Sequence, residues 1–269
     1  MLVDSHCHLD FPAFSDRVPE ILARARAAGV ARMVTISTHV RRFDTYRALA
    51  EGNEGIFFSV GTHPHHAAEE PDIAPDEIVR LSDHPRCIAI GEAGLDYHYD
   101  RSPRDIQERV FRNHIAAARD AKLPLVIHAR DADENMIDIL SEEVGRGRFD
   151  AVLHCFSSGA RLAEVGVDLG FSISFSGIVT FKRSEELRRI AAAVPLERLL
   201  VETDAPYLAP EPFRGKTNEP AYVAHTSSFL AGVVRLSADE FARLTTNNFY
   251  RLFTRAAAAD RVPNENAAA

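Results

Sequence analysis

The feature that most constrains this chain is a rhythm: eight short β-rich runs, separated by longer stretches in which apolar residues recur three and four positions apart. The runs are MLVDSHCH (1–8), ARMVTIST (31–38), GIFFSVGTHP (55–64), CIAIGEAGLD (87–96), LPLVIHA (123–129), FDAVLHCF (149–156), GFSISFSG (170–177) and RLLVETDAP (198–206). Near-continuous apolar strands belong to a parallel sheet buried on both faces, and parallel neighbours need crossovers between them. The stretches 17–29, 102–122 and 134–145 are of that kind, each with Ser, Asp or Pro near its start and one apolar face. Strand and helix in alternation predict an α/β chain folded as a closed (β/α)8 TIM barrel, with an open doubly wound sheet as the alternative. Two more helical stretches, 220–234 and 238–255, follow a Pro- and Gly-rich loop at 205–220 and are expected to complete the outer ring. The 269 residues suit one barrel domain over 1–258, leaving 259–269 as a flexible tail.

The chemistry sits where the strands end. Six of the eight runs finish in metal-ligand residue types: His6 and His8 in the first, His63 in the third, Glu92 in the fourth, His128 in the fifth, His154 in the sixth and Asp204 in the eighth. His6 and His8, one residue apart, share a strand face, so two imidazoles converge. Singly, each has a plainer reading: a histidine in an apolar run is more often hydrogen-bonded core than ligand, and a Glu-Thr-Asp can cap a helix. Together they do not. In a closed barrel the C-terminal strand ends form one rim, and burying four imidazoles and two carboxylates there without a cation costs several kcal/mol in desolvation and like-charge strain. An open sheet would spread them along a line too long for joint coordination.

A single zinc takes about four ligands, so the six candidates His6, His8, Glu92, His128, His154 and Asp204 predict two divalent ions. Glu92, on the fourth strand, is the natural bridge between His6, His8 and Asp204 on one side and His128 and His154 on the other. Nitrogen-rich ligands suit zinc, manganese or nickel better than magnesium, which prefers oxygen.

Composition sets the outer limits. Hydrophobic residues make up 46% and charged residues 26%, enough apolar material for one large core. The formal net charge of −8 argues against a broad basic surface holding nucleic acid, although bound metal can supply positive charge locally. No run approaches the ~20 apolar residues that cross a bilayer. Cys7, Cys87 and Cys155 are odd in number and lie in apolar runs, which reads as buried thiols in a reducing, cytoplasmic compartment.

On these residues the chain resembles the TatD family of metal-dependent deoxyribonucleases, within the amidohydrolase-like barrels. The similarity runs almost end to end through DSHCHLD, VGTHPH, IGEAGLDYHYD, LPLVIHAR, HCFSSG, VETDAPYLAP and RGKTNEPAYV. Two departures are the second Ser of HCFSSG and Thr217 where a basic residue is common. The resemblance implies a hydrolase of DNA phosphodiester bonds that uses divalent metal ions. The closed barrel mouth favours single-stranded or frayed ends and exonucleolytic action, and a monomer is compatible with this reading. Asp204 is the expected proton acceptor, Glu92 the bridge, and His63 a donor to developing charge. His65, Arg130, Arg214 and Lys216 are expected to hold substrate, while Glu202 sits one layer deeper, positioning a ligand, and Asn218 and Glu219 brace their loop. Two rivals stand beside this reading. One is an amidohydrolase cleaving a cyclic amide or ester, which often bridges its ions with a carboxylated lysine where Glu92 stands. The other is a non-enzymatic metal-binding quality-control scaffold, which calls for a large exposed apolar patch.

Overall fold

A computed structural model describes residues 1–261. All eight runs form strands: β1 (Leu2–Cys7), β2 (Val30–Thr35), β3 (Ile56–Val60), β4 (Cys87–Asp96), β5 (Leu125–Arg130), β6 (Ala151–Leu153), β7 (Ser172–Phe175) and β8 (Leu199–Val201). They lie in one sheet in sequence order, and every adjacent pair is parallel. The two edges meet: the Asp204 N–H donates to the His6 carbonyl at 2.9 Å and the His8 N–H to the Ala205 carbonyl at 2.8 Å. The Ser5 hydroxyl adds a bond to the Val201 carbonyl. The sheet is therefore the expected barrel and not an open one.

Helices follow the strands in turn: α1 (Val18–Ala27), α2 (Phe43–Gly52), α3 (Pro75–Leu81), α4 (Arg104–Ala121), α5 (Asp133–Arg146), α6 (Ala160–Asp168), α7 (Glu185–Ala193) and α8 (Val223–Val233). Their apolar stripes pack on the outside of the barrel, where Ile21, Tyr46, Ile78, Phe111, Ile115, Leu140 and Leu162 are buried against strand residues such as Met33, Phe58 and Leu153. A separate cluster fills the barrel interior, with Val3, Val34, Phe57, Ile88, Val126, Val152 and Leu200 contributed by seven different strands.

The end of the chain departs from expectation. The helices α9 (Ala238–Leu252) and α10 (Thr254–Arg261) do not both join the outer ring. Phe249, Phe253 and Ala256 belong to the interior cluster, and their polar neighbours bind the starts of strands: Asn248 donates to the Leu199 carbonyl, Thr246 to that of Met1, and Arg255 to that of Cys87. These helices plug the N-terminal mouth of the barrel. A Ser237–Glu240 capping box starts α9. Of the tail foreseen at 259–269, residues 259–261 end α10, with Asp260 accepting from Arg32 and from the Tyr250 hydroxyl; 262–269 lie outside the described residues. No described helix is long and apolar enough to cross a membrane.

Candidate metal centre

With the N-terminal mouth plugged, the C-terminal rim is the open end, and all six candidate ligands meet there around Glu92. Glu92 is 1% exposed and sits within β4, where that strand runs on past its neighbour β3 to pair with β5 as far as Asp96. β4 and β5 approach so closely that a Cβ at Gly94 would collide with the His128 carbonyl oxygen, which makes that position a glycine's. One carboxylate oxygen of Glu92, Oε2, faces His6 Nε2 at 3.5 Å and His8 Nε2 at 4.0 Å. Asp204 Oδ1 completes that side, 3.6 Å from His6 and 3.5 Å from His8. The other oxygen, Oε1, faces His154 Nε2 at 2.6 Å and His128 Nδ1 at 2.9 Å. The side chains thus stand in two groups, three residues on one side of the carboxylate and two on the other.

The donor set fits divalent ions on three observations. Nitrogens and oxygens bound about 2.0 to 2.2 Å from one ion stand roughly 3.0 to 3.6 Å apart, and His6 and His8 nitrogens lie 3.3 Å apart, those of His128 and His154 3.4 Å. Glu92 Oε2 is buried and has no hydrogen-bond partner, which for a carboxylate oxygen is costly unless a cation meets it. The rings are also oriented from behind: His8 Nδ1 donates to the Ile36 carbonyl and His154 Nδ1 to Glu202 Oε1, which turns each Nε2 inward. Glu202 Oε1 also accepts the Cys155 N–H at 2.7 Å.

Charge follows the same geometry. Burial alone would raise Glu92, but the imidazoles of His154, His63 and His6 hold it well below the usual carboxylate range. Burial works against a charged His154, yet Glu92 and Glu202 raise it well above an ordinary histidine. For His63 burial prevails and the ring is neutral. Its Nδ1 accepts the His65 N–H at 3.0 Å, so its proton is on Nε2, 3.4 Å from Glu92 Oε1. His63 Nε2 thus faces Glu92 as a donor, although the ligand atoms of His63, Glu92 and His128 also lie close enough together to hold an ion.

The site opens into a cleft of about 1390 Å³ that His65 and Arg130 also line. His65 Nε2 donates to Asp96 Oδ2 at 2.8 Å, and that oxygen also takes His128 Nε2 at 3.1 Å. Asp96, which the sequence reading passed over although it ends the fourth run, therefore orients His128, and these bonds together with the Tyr99 backbone N–H hold it well below the usual range against the pull of burial. Arg130 stands over the Tyr99 ring at 4.8 Å, while the nearby carboxylates are engaged elsewhere, Asp131 with His98 and Asp133 with the Gly159 N–H.

Arg214 and Lys216 do not line the cleft. Arg214 stacks over Phe181 and Lys216 over Phe213, whose own ring lies flat on Tyr222 at 4.2 Å, so the loop after β8 is drawn down toward α8. The cleft's cations are instead Arg101, Arg104, Arg130 and Arg183. Asn218 does brace the loop, donating to the Thr203 and Tyr207 carbonyls, and Glu219 pairs with Arg24 on α1. Cys7 and Cys87 are buried thiols, but Cys155 is only partly buried and borders the cleft.

Residues 3–254 match the family model described as TatD related DNase. An uncharacterized metal-dependent hydrolase of Bacillus subtilis, YabD, is 40% identical over 94% of this chain and 99% of its own length. YcfH of Escherichia coli, named in the same words, is 41% identical over 94% and 95%. Among solved structures, the crystal structure of YjjV, a TatD homolog from Escherichia coli, superposes with a TM-score of 0.87 at 31% identity, covering 94% of this chain and 98% of that one.

Proposed function

Because the chain belongs to the TatD-related DNase family and is a metal-dependent hydrolase, we propose that it hydrolyses phosphodiester bonds of DNA at a two-metal centre, working from single-stranded or frayed ends. The observation that carries the reading is Glu92, whose two oxygens each face a separate set of imidazoles. His6, His8 and Asp204 would hold one ion, His128 and His154 the other, with Glu92 shared. Such ions supply Lewis-acid charge to a phosphoryl oxygen and make water a better nucleophile near neutral pH.

The chain's own residues supply the remaining steps. Asp204 is the ligand whose side chain is most open on its side of Glu92, 15% exposed against 1% for His6 and 5% for His8. It faces the cleft, where it accepts the proton of the attacking water. His63, neutral and carrying its proton on Nε2, donates to charge that develops on the phosphoryl oxygens. Arg130 lines the same cleft as His128, and its guanidinium would meet a phosphate entering there. The centre lies at the C-terminal rim of a closed barrel, in a cleft of about 1390 Å³, and this supports an unpaired end over a full duplex as the favoured substrate.

The test is metal analysis joined to turnover. Reconstituted protein should hold two transition ions per chain and degrade end-labelled single-stranded DNA, with activity lost to chelator. Cutting of covalently closed duplex plasmid as fast as single-stranded ends would overturn the end preference, and one ion at full activity would overturn the two-metal centre.

A further inference from the structure

The groups described so far account for a phosphate but not for the aromatic rings above it. Five large apolar side chains are exposed among the described residues, and two of them, Tyr99 (50%) and Tyr207 (55%), line this one cleft. Exposed aromatics gathered at a functional cleft mark a binding surface more than chance scatter does. Both are tied to the centre through the backbone: the Tyr99 N–H donates to Asp96 Oδ1 at 2.9 Å, and the Tyr207 N–H to the Asp204 carbonyl at 2.9 Å.

Their surroundings are those of a stacking platform. Two guanidinium groups, Arg130 at 4.8 Å and Arg101 at 5.4 Å, stand over the Tyr99 ring, adding positive charge beside an aromatic face. In the same cleft a series of rings runs from a candidate ligand: Phe11 stacks on His8 at 4.6 Å, and Tyr207 meets Phe11 edge-on at 6.0 Å. Aromatic faces interleaved with guanidinium groups suit a ligand that alternates flat rings with anionic links, and every nucleobase offers such a face whatever its sequence. In a duplex those faces are covered by neighbouring bases.

We propose that Tyr99 and Tyr207 form a nucleobase clamp: an unpaired strand enters the cleft with bases next to the scissile phosphate stacked on these rings, while Arg101 and Arg130 meet the neighbouring phosphates. The proposal rests on the phosphodiesterase reading for its substrate and deepens it, because it assigns the choice of single strands to two named side chains.

Two phosphodiesters with the same leaving group test it, the p-nitrophenyl ester of thymidine 5′-monophosphate and methyl p-nitrophenyl phosphate, each hydrolysed by the metal-loaded full chain. Stacking of one base is worth enough for about a tenfold preference or more. The ratio of kcat/KM for the two esters should fall about tenfold in Tyr99→Ala with Tyr207→Ala, mainly through KM. It should persist in the two Tyr→Phe variants, which keep the ring, and in Leu196→Ala, an exposed side chain outside the cleft. An unchanged ratio in the Ala variants overturns the clamp. A binding measurement separates this from failure of the phosphodiesterase reading: 2-aminopurine in a short single-stranded oligonucleotide should be quenched by the wild type and not by the Ala variants, whether or not either ester is cut. Absence of quenching by the wild type, or equal quenching by the Ala variants, rejects the clamp. Loss of hydrolysis with quenching intact rejects the chemistry and leaves the clamp standing.

Discussion

Two buried clusters in this barrel combine imidazole with carboxylate, and they are built on opposite terms. In the first, Glu70 accepts the Val40 and Arg41 N–H groups at 2.9 Å each and the Thr62 hydroxyl. His114 donates from Nδ1 to the Val110 carbonyl at 2.8 Å and accepts the Thr62 N–H on Nε2 at 3.0 Å. Both carboxylate oxygens and both ring nitrogens have protein partners. In the second, Glu92 Oε2 and His6 Nδ1 have none, and the inward nitrogens of His6 and His8 face each other at 3.3 Å. The residue types are the same and the burial is similar. What separates a polar cluster that serves the fold from one that awaits a cation is hydrogen bonding left unmet.

The strongest way to break that contrast is to neutralise the carboxylate at the heart of each cluster. Glu92→Gln keeps the shape and removes the shared charge, so bound metal should fall below two ions per chain. The kcat/KM on a chromogenic phosphodiester should drop at least about 10³-fold, since metal-ion stabilisation of a transition state is worth several kcal/mol. Glu70→Gln should leave metal content unchanged and lower the melting temperature instead, because a buried donor or acceptor loses its match, at about 1 to 3 kcal/mol. Metal loss in Glu70→Gln, or full metal in Glu92→Gln, would erase the distinction.

Within the metal cluster, Asp204→Asn sharpens the roles. Asparagine retains an oxygen but accepts no proton, so kcat at saturating metal should fall about 10² to 10⁴-fold with most of the metal still bound. More than roughly a tenth of wild-type kcat remaining would remove Asp204 as proton acceptor, since even the lower end of that range would not be met.

The satisfied cluster makes a prediction of its own, in stability against pH. Burial pushes His114 down from 6.5 to about 4, despite the Val110 carbonyl that favours its proton. Between those values the unfolded chain binds a proton that the folded chain refuses. His114 therefore contributes no pH dependence above about 6.5, and stability is lost as pH falls from there toward 4, by on the order of 3 kcal/mol. Melting curves of metal-free wild type and His114→Leu over pH 7 to 4.5 should converge at the acid end, the variant starting lower and sloping less. Parallel curves would show that His114 is not the residue responsible.

Much of this was readable from the chain because strands have a period and a direction. A histidine or carboxylate that closes an apolar run must lie at the C-terminal rim, and closure brings His6, Glu92, His154 and Asp204 together from four strands. What was missed lacks such a rule. Asp96 closes the fourth run four residues beyond Glu92, and with Glu92 already supplying that strand's ligand type nothing in the pattern marks it, yet it bonds His128. The loops carry no period, so Arg214 and Lys216 were indistinguishable from Arg101, Arg104 and Arg183 until their rings and partners were seen. The helical pattern of 238–255 announces a buried face without saying what it covers, and Phe249 and Phe253 turn out to cover the floor of the barrel and not its side.

Glu202 tests the contrast at its smallest expected effect, because it is a carboxylate of the satisfied kind placed in the unsatisfied cluster. Its Oε1 accepts the Cys155 N–H at 2.7 Å and faces His154 Nδ1 at 3.2 Å, so that oxygen is already met by protein donors. What it does is hold a proton on Nδ1 of His154, so that with a cation bound Nε2 is the nitrogen turned toward it beside Glu92. Glu202→Gln can keep the bond to Cys155 through its carbonyl oxygen but loses the charge that favours a proton on Nδ1. Affinity for one ion, the one on the His128 and His154 side, should fall about 10 to 100-fold, while kcat at saturating metal stays near wild type. Metal titration followed by a competing chromophoric chelator reads the two sites separately. Equal weakening of both ions would mean that Glu202 acts on the whole centre through its charge, and no weakening would mean that the tautomer of His154 is set by Glu92 alone.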